Sequence, residues 1–173
     1  RGKESFLHTT IENFQRAAVV IPLLKTEGEW HLLLTKRSET LLDHTGQVAF
    51  PGGAYEKRDN GLHETALREM DEEIGIKPAD ANLFGHLGDL PIVTGYLVRM
   101  YVAQIPWPYP LKISREEVDS TFIMPLNWLA ERGNRWVEKR IFAGREIPVV
   151  FFKRYQGYQL WGASADMTLM LLS

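Results

Sequence analysis

The chain has 173 residues, of which 45% are hydrophobic and 24% charged, and its formal net charge is −2. This size suits one domain with a sizeable core, so we expect residues 1–173 to form a single domain. The weakly acidic balance argues against a dedicated nucleic-acid-binding protein, which would carry a basic surface. The absence of cysteine excludes disulfides, thiolate catalysis and cysteine-based zinc sites, and it favours a cytoplasmic protein. No apolar run reaches the roughly 18 residues of a membrane helix, so we expect no membrane partner.

In chain order, the hydrophobic pattern alternates strands with helices and contains no repeat. A short helix is predicted at residues 10–15. Strands are predicted at residues 17–24, 30–36, 82–87, 96–105, 121–124, 140–142 and 149–155. Helices are predicted from residue 62 to residue 74, at 127–131 and at 164–172. These elements predict an α/β protein with a mixed β-sheet between helices.

Acidic residues concentrate near the end of the first long helix, where Glu69, Glu72 and Glu73 lie at positions i, i+3 and i+4. Helical spacing brings the three side chains toward one face, where they repel one another unless a cation lies between them. Hard cations such as Mg²⁺ take oxygen ligands and commonly bind substrate phosphates as well. An isolated acidic run is more often a solvated helix face. The order of the surrounding residues favours the metal site over that alternative: a glycine pair precedes the helix, Arg68 and Glu69 lie within it, and Gly75 and Ile76 follow it.

The same helix has recognisable ends and an apolar stripe. Asn60 is the predicted N-cap, with Asp59 as the alternative, and Gly75 is predicted to end the helix in a left-handed conformation. The stripe recurs every four residues and comprises Leu62, Ala66, Met70 and Ile74. The spacing from Arg68 to Glu72 predicts an ion pair that orients the carboxylate.

The segment that contains this helix resembles the Nudix box, G-x5-E-x7-R-E-U-x-E-E-x-G-U, in which U is apolar. The matching residues are Gly53, Arg68, Glu69, Met70, Glu72, Glu73, Gly75 and Ile76. The run from Gly53 to Arg68 is one residue longer than the pattern, so the first glutamate of the box falls at Asp59 or Asn60. The resemblance implies an α/β/α sandwich and a Mg²⁺- or Mn²⁺-dependent hydrolase of pyrophosphate bonds.

A second motif precedes the box and resembles the coenzyme A pyrophosphatase branch of the Nudix hydrolases, L-L-T-x-R-[SA]-x3-R-x3-G-x3-F-P-G-G. The matching residues are Leu33, Leu34, Thr35, Arg37, Ser38, Gly46, Phe50, Pro51, Gly52 and Gly53. The second arginine of the motif is replaced by Leu42. The similarity continues to Trp161 and Gly162, near the end of the chain.

Roles follow from the chemistry and from the resemblance. Glu69, Glu72 and Glu73 are the predicted metal ligands, and Arg68, Glu72 and Glu73 are predicted members of the catalytic machinery. Glu117 is the candidate general base, with Glu116 next, because Nudix enzymes often take the base from a loop outside the box. Arg37, Gly52 and Gly53 are predicted to contact the substrate. The guanidinium of Arg37 can bind phosphate through two hydrogen bonds.

The expected substrate is a small-molecule nucleotide, with coenzyme A or acyl-CoA preferred and 3′,5′-ADP and 4′-phosphopantetheine as products. One alternative is a Nudix hydrolase of ADP-ribose, dinucleotides or nucleoside triphosphates. A second alternative is a non-catalytic ligand-binding module, which would have no need of three intact metal-binding glutamates. A monomer or a homodimer is expected.

Overall fold

The computed structural model describes residues 13–40 and 46–173. Nine strands occur in these residues: β1 (Gln15–Thr26), β2 (Glu29–Arg37), β3 (Val48–Ala49), β4 (Gly52–Ala54), β5 (Asn82–Ile92), β6 (Tyr96–Gln104), β7 (Val118–Pro125), β8 (Arg135–Phe142) and β9 (Arg145–Phe152). The helices are α1 (Leu62–Ile74), α2 (Leu126–Ala130) and α3 (Ala163–Leu172), with short 3₁₀ turns at Pro78–Asp80 and Arg132–Asn134.

The first seven strands form one mixed sheet. Strand order is β3-β2-β1-β6-β5, β4 pairs with β1, and β7 pairs with β2. Strands β1 and β6 run parallel, from Gln15 opposite Tyr96 to Leu23 opposite Gln104, whereas the other pairs are antiparallel. Strands β8 and β9 form a separate antiparallel hairpin.

Helices cover both faces of the sheet. Side chains on a strand alternate between the faces, so one strand contributes to two separate cores. On β2, Leu33 belongs to the core under α1, together with Met70 and Ile74. Leu32 and Leu34 belong to the opposite core, which β9, α2 and α3 cover. The described residues therefore form the α/β/α sandwich that the sequence predicts. Among these residues, no helix has the length and apolarity needed to span a membrane.

Helix α1 confirms the predicted apolar stripe but not the predicted N-cap. Ala66, Met70 and Ile74 are fully buried. Gly61 occupies the N-cap position, and no side chain caps the helix there. Asn60 instead lies one residue before the cap, and its backbone N–H donates to the Glu64 carboxylate at 2.8 Å. At the other end, Gly75 adopts the predicted left-handed conformation, with φ of 74°.

Two further predictions need correction. The helix predicted at residues 10–15 is wrong over its described part, because Gln15 begins β1 and pairs with Tyr96. Residues 10–12 lie outside the described chain. The strands predicted at 140–142 and 149–155 are parts of the longer hairpin β8–β9, which ends at Phe152. Its charged, exposed residues hide the strand pattern, since neither strand has one wholly apolar face.

Candidate functional site

Three carboxylates from two parts of the chain meet beside α1. One oxygen from each of Glu69, Glu73 and Glu117 lies within 4.8 Å of the other two. Glu69 and Glu73 are one helical turn apart on α1, and Glu117 precedes β7. The structure thus brings two of the predicted metal ligands together with the predicted base.

Burial and mutual repulsion disfavour the ionised forms of these groups. Glu73 is only 6% exposed, and burial raises its pKa to about 8, with the Glu69 and Glu117 carboxylates acting in the same direction. Arg37 and the backbone N–H of Gly52 oppose that rise. Burial also raises the pKa of Glu69, although Arg68 opposes the change. A cation bound among these carboxylates would offset burial and repulsion and would favour their ionised forms.

The donor set fits a hard divalent cation. All three groups are carboxylates, whose oxygens Mg²⁺ and Mn²⁺ prefer over nitrogen and sulfur. Ligands on one octahedral Mg²⁺ lie about 3 to 4 Å apart, so small movements would let carboxylates of this group share an ion. Nudix enzymes generally use divalent metals, and these residues suit that use.

Glu72, the third predicted ligand, lies outside this group of three. Its carboxylate accepts hydrogen bonds from Arg58 at 3.1 Å and from Arg68 at 3.3 Å. The Arg68 contact is the predicted i, i+4 pair. Arg58 is 63% exposed, so its ion pair with Glu72 is weak and can give way to a bound cation.

Arg68 has a stronger partner that the helical spacing does not reveal. Its Nε and Nη2 donate to the two oxygens of Asp59 at 2.8 and 2.9 Å. Asp59 also accepts from the Thr65 hydroxyl at 2.8 Å and from the backbone N–H of Glu56 at 3.0 Å. The Arg68 guanidinium holds the pKa of Asp59 well below its usual range. Asp59, one of two candidates for the first acid of the box, therefore anchors Arg68, which in turn donates to Glu69 at 3.0 Å.

The glycine pair Gly52-Gly53 allows α1 to approach the sheet. A Cβ on Gly53 would lie 2.5 Å from the Glu69 carboxylate, and a Cβ on Gly52 would lie 2.5 Å from the carbonyl oxygen of Ala18. A side chain on Gly52 would clash with fixed backbone atoms, and a side chain on Gly53 would displace the Glu69 carboxylate. Glycine at these positions therefore keeps Glu69 beside strand β4 and leaves the Gly52 N–H available to Glu73.

The segment before Glu117 is attached directly to the end of α1. Lys112 donates its backbone N–H to the Ile74 carbonyl, and Ser114 donates to the Glu73 carbonyl, both at 2.9 Å. On the other side, the Glu117 carbonyl accepts the backbone N–H of Ser38 at 2.9 Å. The first two bonds use the Ile74 and Glu73 carbonyls, which the end of α1 leaves without intrahelical partners. They fix Glu117 between α1 and the end of β2.

Arg37 ends β2 at the same place. Its charge acts on Glu73, and its Nε is buried without a hydrogen-bond acceptor among the described residues. Buried donors are rarely left unpaired in folded proteins. This nitrogen is therefore available to an anionic group that enters beside the carboxylates. Glu116, the second candidate base, is exposed and does not belong to the carboxylate group.

Sequence reasoning missed the attachment of the 112–114 segment and the part that Asp59 plays. A signal for Asp59 was present, since it is one of the two residues that fall on the first acid of the box. The backbone bonds from Lys112 and Ser114 have no counterpart in residue type, so no sequence pattern could indicate them.

Comparisons with known proteins agree with this arrangement. The NUDIX domain model matches residues 13–144. Curated relatives described as "Uncharacterized Nudix hydrolase NudL", from Escherichia coli and Shigella boydii, are 39% identical over 155 residues. These alignments cover 90% of this chain and 80% of each relative.

Solved structures support the fold. The Caenorhabditis elegans Ap4A hydrolase in a binary complex has a TM-score of 0.56 at 20% identity, covering 64% of this chain and 80% of that one. The NUDIX domain of Shewanella oneidensis NrtR complexed with ADP ribose has a TM-score of 0.51 at 16% identity, covering 73% of this chain and 85% of that one. Family match and sequence identity together show that this chain belongs to the Nudix family, as a pyrophosphohydrolase that acts on a small-molecule nucleotide.

Proposed function

We propose that the protein hydrolyses the pyrophosphate bond of coenzyme A or its acyl thioesters. The observation that carries this proposal is the position of the coenzyme A-like motif. Its strand β2 ends in Arg37, whose charge acts on Glu73 and whose buried Nε has no acceptor among the described residues, and its Gly53 packs against Glu69. The motif thus supplies part of the wall of the reaction site.

In the proposed reaction, a water oxygen bonds to one phosphorus of the pyrophosphate and the bridging P–O bond breaks. The products are 3′,5′-ADP and 4′-phosphopantetheine. A bound Mg²⁺ or Mn²⁺ neutralises phosphate charge and lowers the pKa of water. Such a reaction requires little more than positioning and electrostatic stabilisation.

Each residue has a part in this scheme. Glu69, Glu72 and Glu73 hold the cation, with Glu72 released from its exposed partner Arg58. Glu117 accepts the proton of the attacking water, because it faces the two α1 carboxylates from a separate segment. Arg68 orients Glu69 and Glu72.

Substrate contacts complete the scheme. Arg37 donates to a phosphate oxygen. Gly52 and Gly53 contact the substrate through their backbone, and the absence of a Cβ on Gly53 leaves room for the Glu69 carboxylate beside it.

A Nudix hydrolase of ADP-ribose, dinucleotides or nucleoside triphosphates is the second candidate. The observation that favours it is Leu42, which replaces the second arginine of the coenzyme A motif and lies outside the described residues. Leucine cannot pair with the 3′-phosphate that distinguishes coenzyme A from these nucleotides. The 39% sequence identity with relatives described as Nudix hydrolases opposes the remaining alternative, a non-catalytic ligand-binding module.

The deciding experiment is a substrate screen with Mg²⁺ and with Mn²⁺. Purified protein is incubated with coenzyme A, acetyl-CoA, 3′-dephospho-CoA, ADP-ribose, NADH, diadenosine polyphosphates and nucleoside triphosphates, and products are separated by chromatography. We expect the highest kcat/KM for coenzyme A or acetyl-CoA. Rapid turnover of ADP-ribose without cleavage of either coenzyme A form would reject the proposal in favour of the second candidate.

The remaining expectations on assembly and location belong to the same proposal. We propose one Nudix domain over residues 1–173, acting as a monomer or a homodimer in the cytoplasm. The core supports one domain, since it joins residues from β1 at one end to α3 at the other. Light scattering and domain-resolved calorimetry would test the assembly and the domain count.

A further inference from the structure

A polar cleft with a volume of about 410 Å³ opens beside the end of β2 and the start of β7, on the face of the sheet opposite α1. Its lining comes from β2, from Gly46 and β3, from the start of β7 and from the segment between β9 and α3. The polar side chains of this lining include Lys36, Asp119, Ser120, Arg154, Tyr158 and Gln159. A cleft of this size can hold a nucleoside-sized group.

The cleft and the carboxylate site share the end of one strand. Arg37 acts on Glu73 on the α1 side, whereas its neighbour Lys36 lines the cleft. Consecutive side chains of a strand point to opposite faces, while their Cα atoms are only about 3.8 Å apart. The register of β7 against β2 shifts between Lys36 and Arg37, so that Val118 joins the α1 core and Ser120 lines the cleft. One ligand that passes the end of β2 can therefore touch both sites.

The cleft contains two cationic side chains, Lys36 and Arg154, and acidic side chains of the described residues neutralise their charge only in part. Among the described residues, the ion-pair partner of Lys36 is Glu39 at 3.8 Å, and the Glu39 side chain is 73% exposed. Arg154 donates to the carbonyl of Gly157 at 3.3 Å, and no carboxylate of the described chain forms an ion pair with it. Asp119 is the one acid among the described residues that line the cleft. The excess positive charge fits an anion.

The walls of the cleft are held in place by their own contacts. Tyr158 stacks on Phe122 with ring centroids 3.8 Å apart, and its hydroxyl lies 3.1 Å from the Ser120 hydroxyl. Gln159 donates its side-chain amide to the Phe152 carbonyl at 3.2 Å. Fixed hydroxyl and amide groups around two cations suit a phosphate with a sugar attached.

We propose that this cleft binds a phosphate monoester of the substrate, through Lys36 and Arg154. This inference rests on the proposed function, and in coenzyme A the group is the 3′-phosphate. Two cations from β2 and from the segment after β9 then take the place of the motif arginine that Leu42 replaces. Specificity for the 3′-phosphate comes from the side of the sheet that lacks the reacting carboxylates.

The test compares coenzyme A with 3′-dephospho-CoA in the wild type and in Arg154→Gln. Arg154 is the first choice because it is exposed and distant in sequence from the carboxylates. We expect its substitution to lower kcat/KM for coenzyme A about ten- to a hundred-fold, through KM, because a charge-assisted hydrogen bond is lost. Turnover of 3′-dephospho-CoA provides the internal reference. Lys153→Gln, which removes an adjacent exposed cation outside the cleft, is the matched control and should leave both substrates unaffected.

A second measurement keeps the test independent of turnover. Titration calorimetry with 3′,5′-ADP and with 5′-AMP should show tighter binding of 3′,5′-ADP to the wild type, and this preference should disappear in Arg154→Gln and in Lys36→Met. An unchanged ratio of coenzyme A to 3′-dephospho-CoA turnover in Arg154→Gln would overturn the subsite while the proposed function stands. Absence of cleavage of both coenzyme A and acetyl-CoA in the wild type would reject the proposed function. In that case equal binding of 3′,5′-ADP and 5′-AMP would overturn the subsite as well.

Discussion

At the scale of single residues, Glu73 is the most constrained group of the site. It is nearly buried, it lies beside two other carboxylates, and Arg37 and the Gly52 N–H are the groups that favour its ionised form. A side chain kept in so unfavourable a place is well suited to a cation that compensates for its charge. We therefore expect Glu73 to contribute more to catalysis than an exposed acidic residue of the same helix does.

Glu73→Gln and Glu72→Gln are each expected to lower kcat by at least ~10²-fold, comparable to the loss of a major electrostatic stabiliser. Steady-state kinetics with Mg²⁺ and after EDTA treatment would measure this. Asp71→Asn is the matched control, because Asp71 lies on the same helix but pairs with the exposed Lys77. Full activity in EDTA, or near-normal turnover in both glutamate variants, would contradict the assignment.

Glu117→Gln should reduce kcat by ~10²–10⁴-fold, the usual contribution of a general base. The adjacent Glu116→Gln is the control, since Glu116 is exposed and outside the carboxylate group. Calorimetric titration with Mn²⁺ separates the two possible roles of Glu117. A large loss of Mn²⁺ affinity in Glu117→Gln would make it a ligand rather than the base, and a crippled Glu116→Gln would move the base by one residue.

The buried pair of Asp59 and Arg68 should govern stability as well as geometry. Removing one partner of a buried ion pair is strongly destabilising, so Asp59→Asn should cost about 3 kcal/mol of unfolding free energy at pH 7. Because the pKa of Asp59 is lowered in the folded state, its contribution is complete above the usual aspartate pKa of about 4 and is lost as the pH falls through the folded value.

Urea unfolding of the wild type and Asp59→Asn at several pH values below 7 would test this. The difference between the two proteins should narrow as the solution is acidified below about pH 4. Asp89, whose pKa Arg99 and Arg16 also lower, remains in both proteins and cancels in the comparison. A difference that stays constant with pH would contradict the linkage.

At the scale of elements, the end of α1 is a joint between helix and loop. Gly75 is left-handed, and a Cβ there would lie 2.7 Å from the Lys112 side chain and 2.9 Å from its backbone nitrogen. The same loop continues through Ser114 to Glu117. The conformation of one glycine thus connects the length of α1 to the position of the candidate base.

Gly75→Ala should lower both stability and kcat, because its Cβ displaces the 112–114 segment. Gly28→Ala is the matched control, since Gly28 is also left-handed at φ of 78° but a Cβ added there would meet no atom within 4 Å. Both variants carry the backbone cost of about 1–2 kcal/mol. Denaturant unfolding and steady-state kinetics should show a larger loss of stability, and a loss of kcat, in Gly75→Ala alone. Equal effects on both properties in the two variants would contradict the proposed joint.

The sequence was informative where structure depends on near neighbours. The stripe on α1 and the proximity of Glu69 and Glu73 follow from helical spacing, and both appear in the structure. The approach of Glu117 was proposed by resemblance, and the backbone bonds that hold it join residues about 40 or about 80 positions apart. Such long-range backbone contacts leave no residue pattern.

At the scale of the whole molecule, the fold extends beyond the part that the family model matches. The match ends at residue 144, yet Phe152, Leu160, Ala165 and Met167 are buried in the core on the face opposite α1. This C-terminal part also supplies Arg154 to the polar cleft. Core formation and the proposed phosphate subsite therefore depend on the same segment.

The parallel pair of β1 and β6 has a consequence for the order of folding. Its partners are about 80 residues apart, and closing so long a loop is entropically costly before other contacts can compensate. Glu117 follows β6 in the chain, so we expect it to join Glu69 and Glu73 of α1 only after this pair has formed. Stopped-flow measurements should accordingly find that Mg²⁺ slows unfolding and leaves the refolding rate nearly unchanged. Faster refolding with Mg²⁺ would mean that the ion gathers its ligands before the sheet is complete.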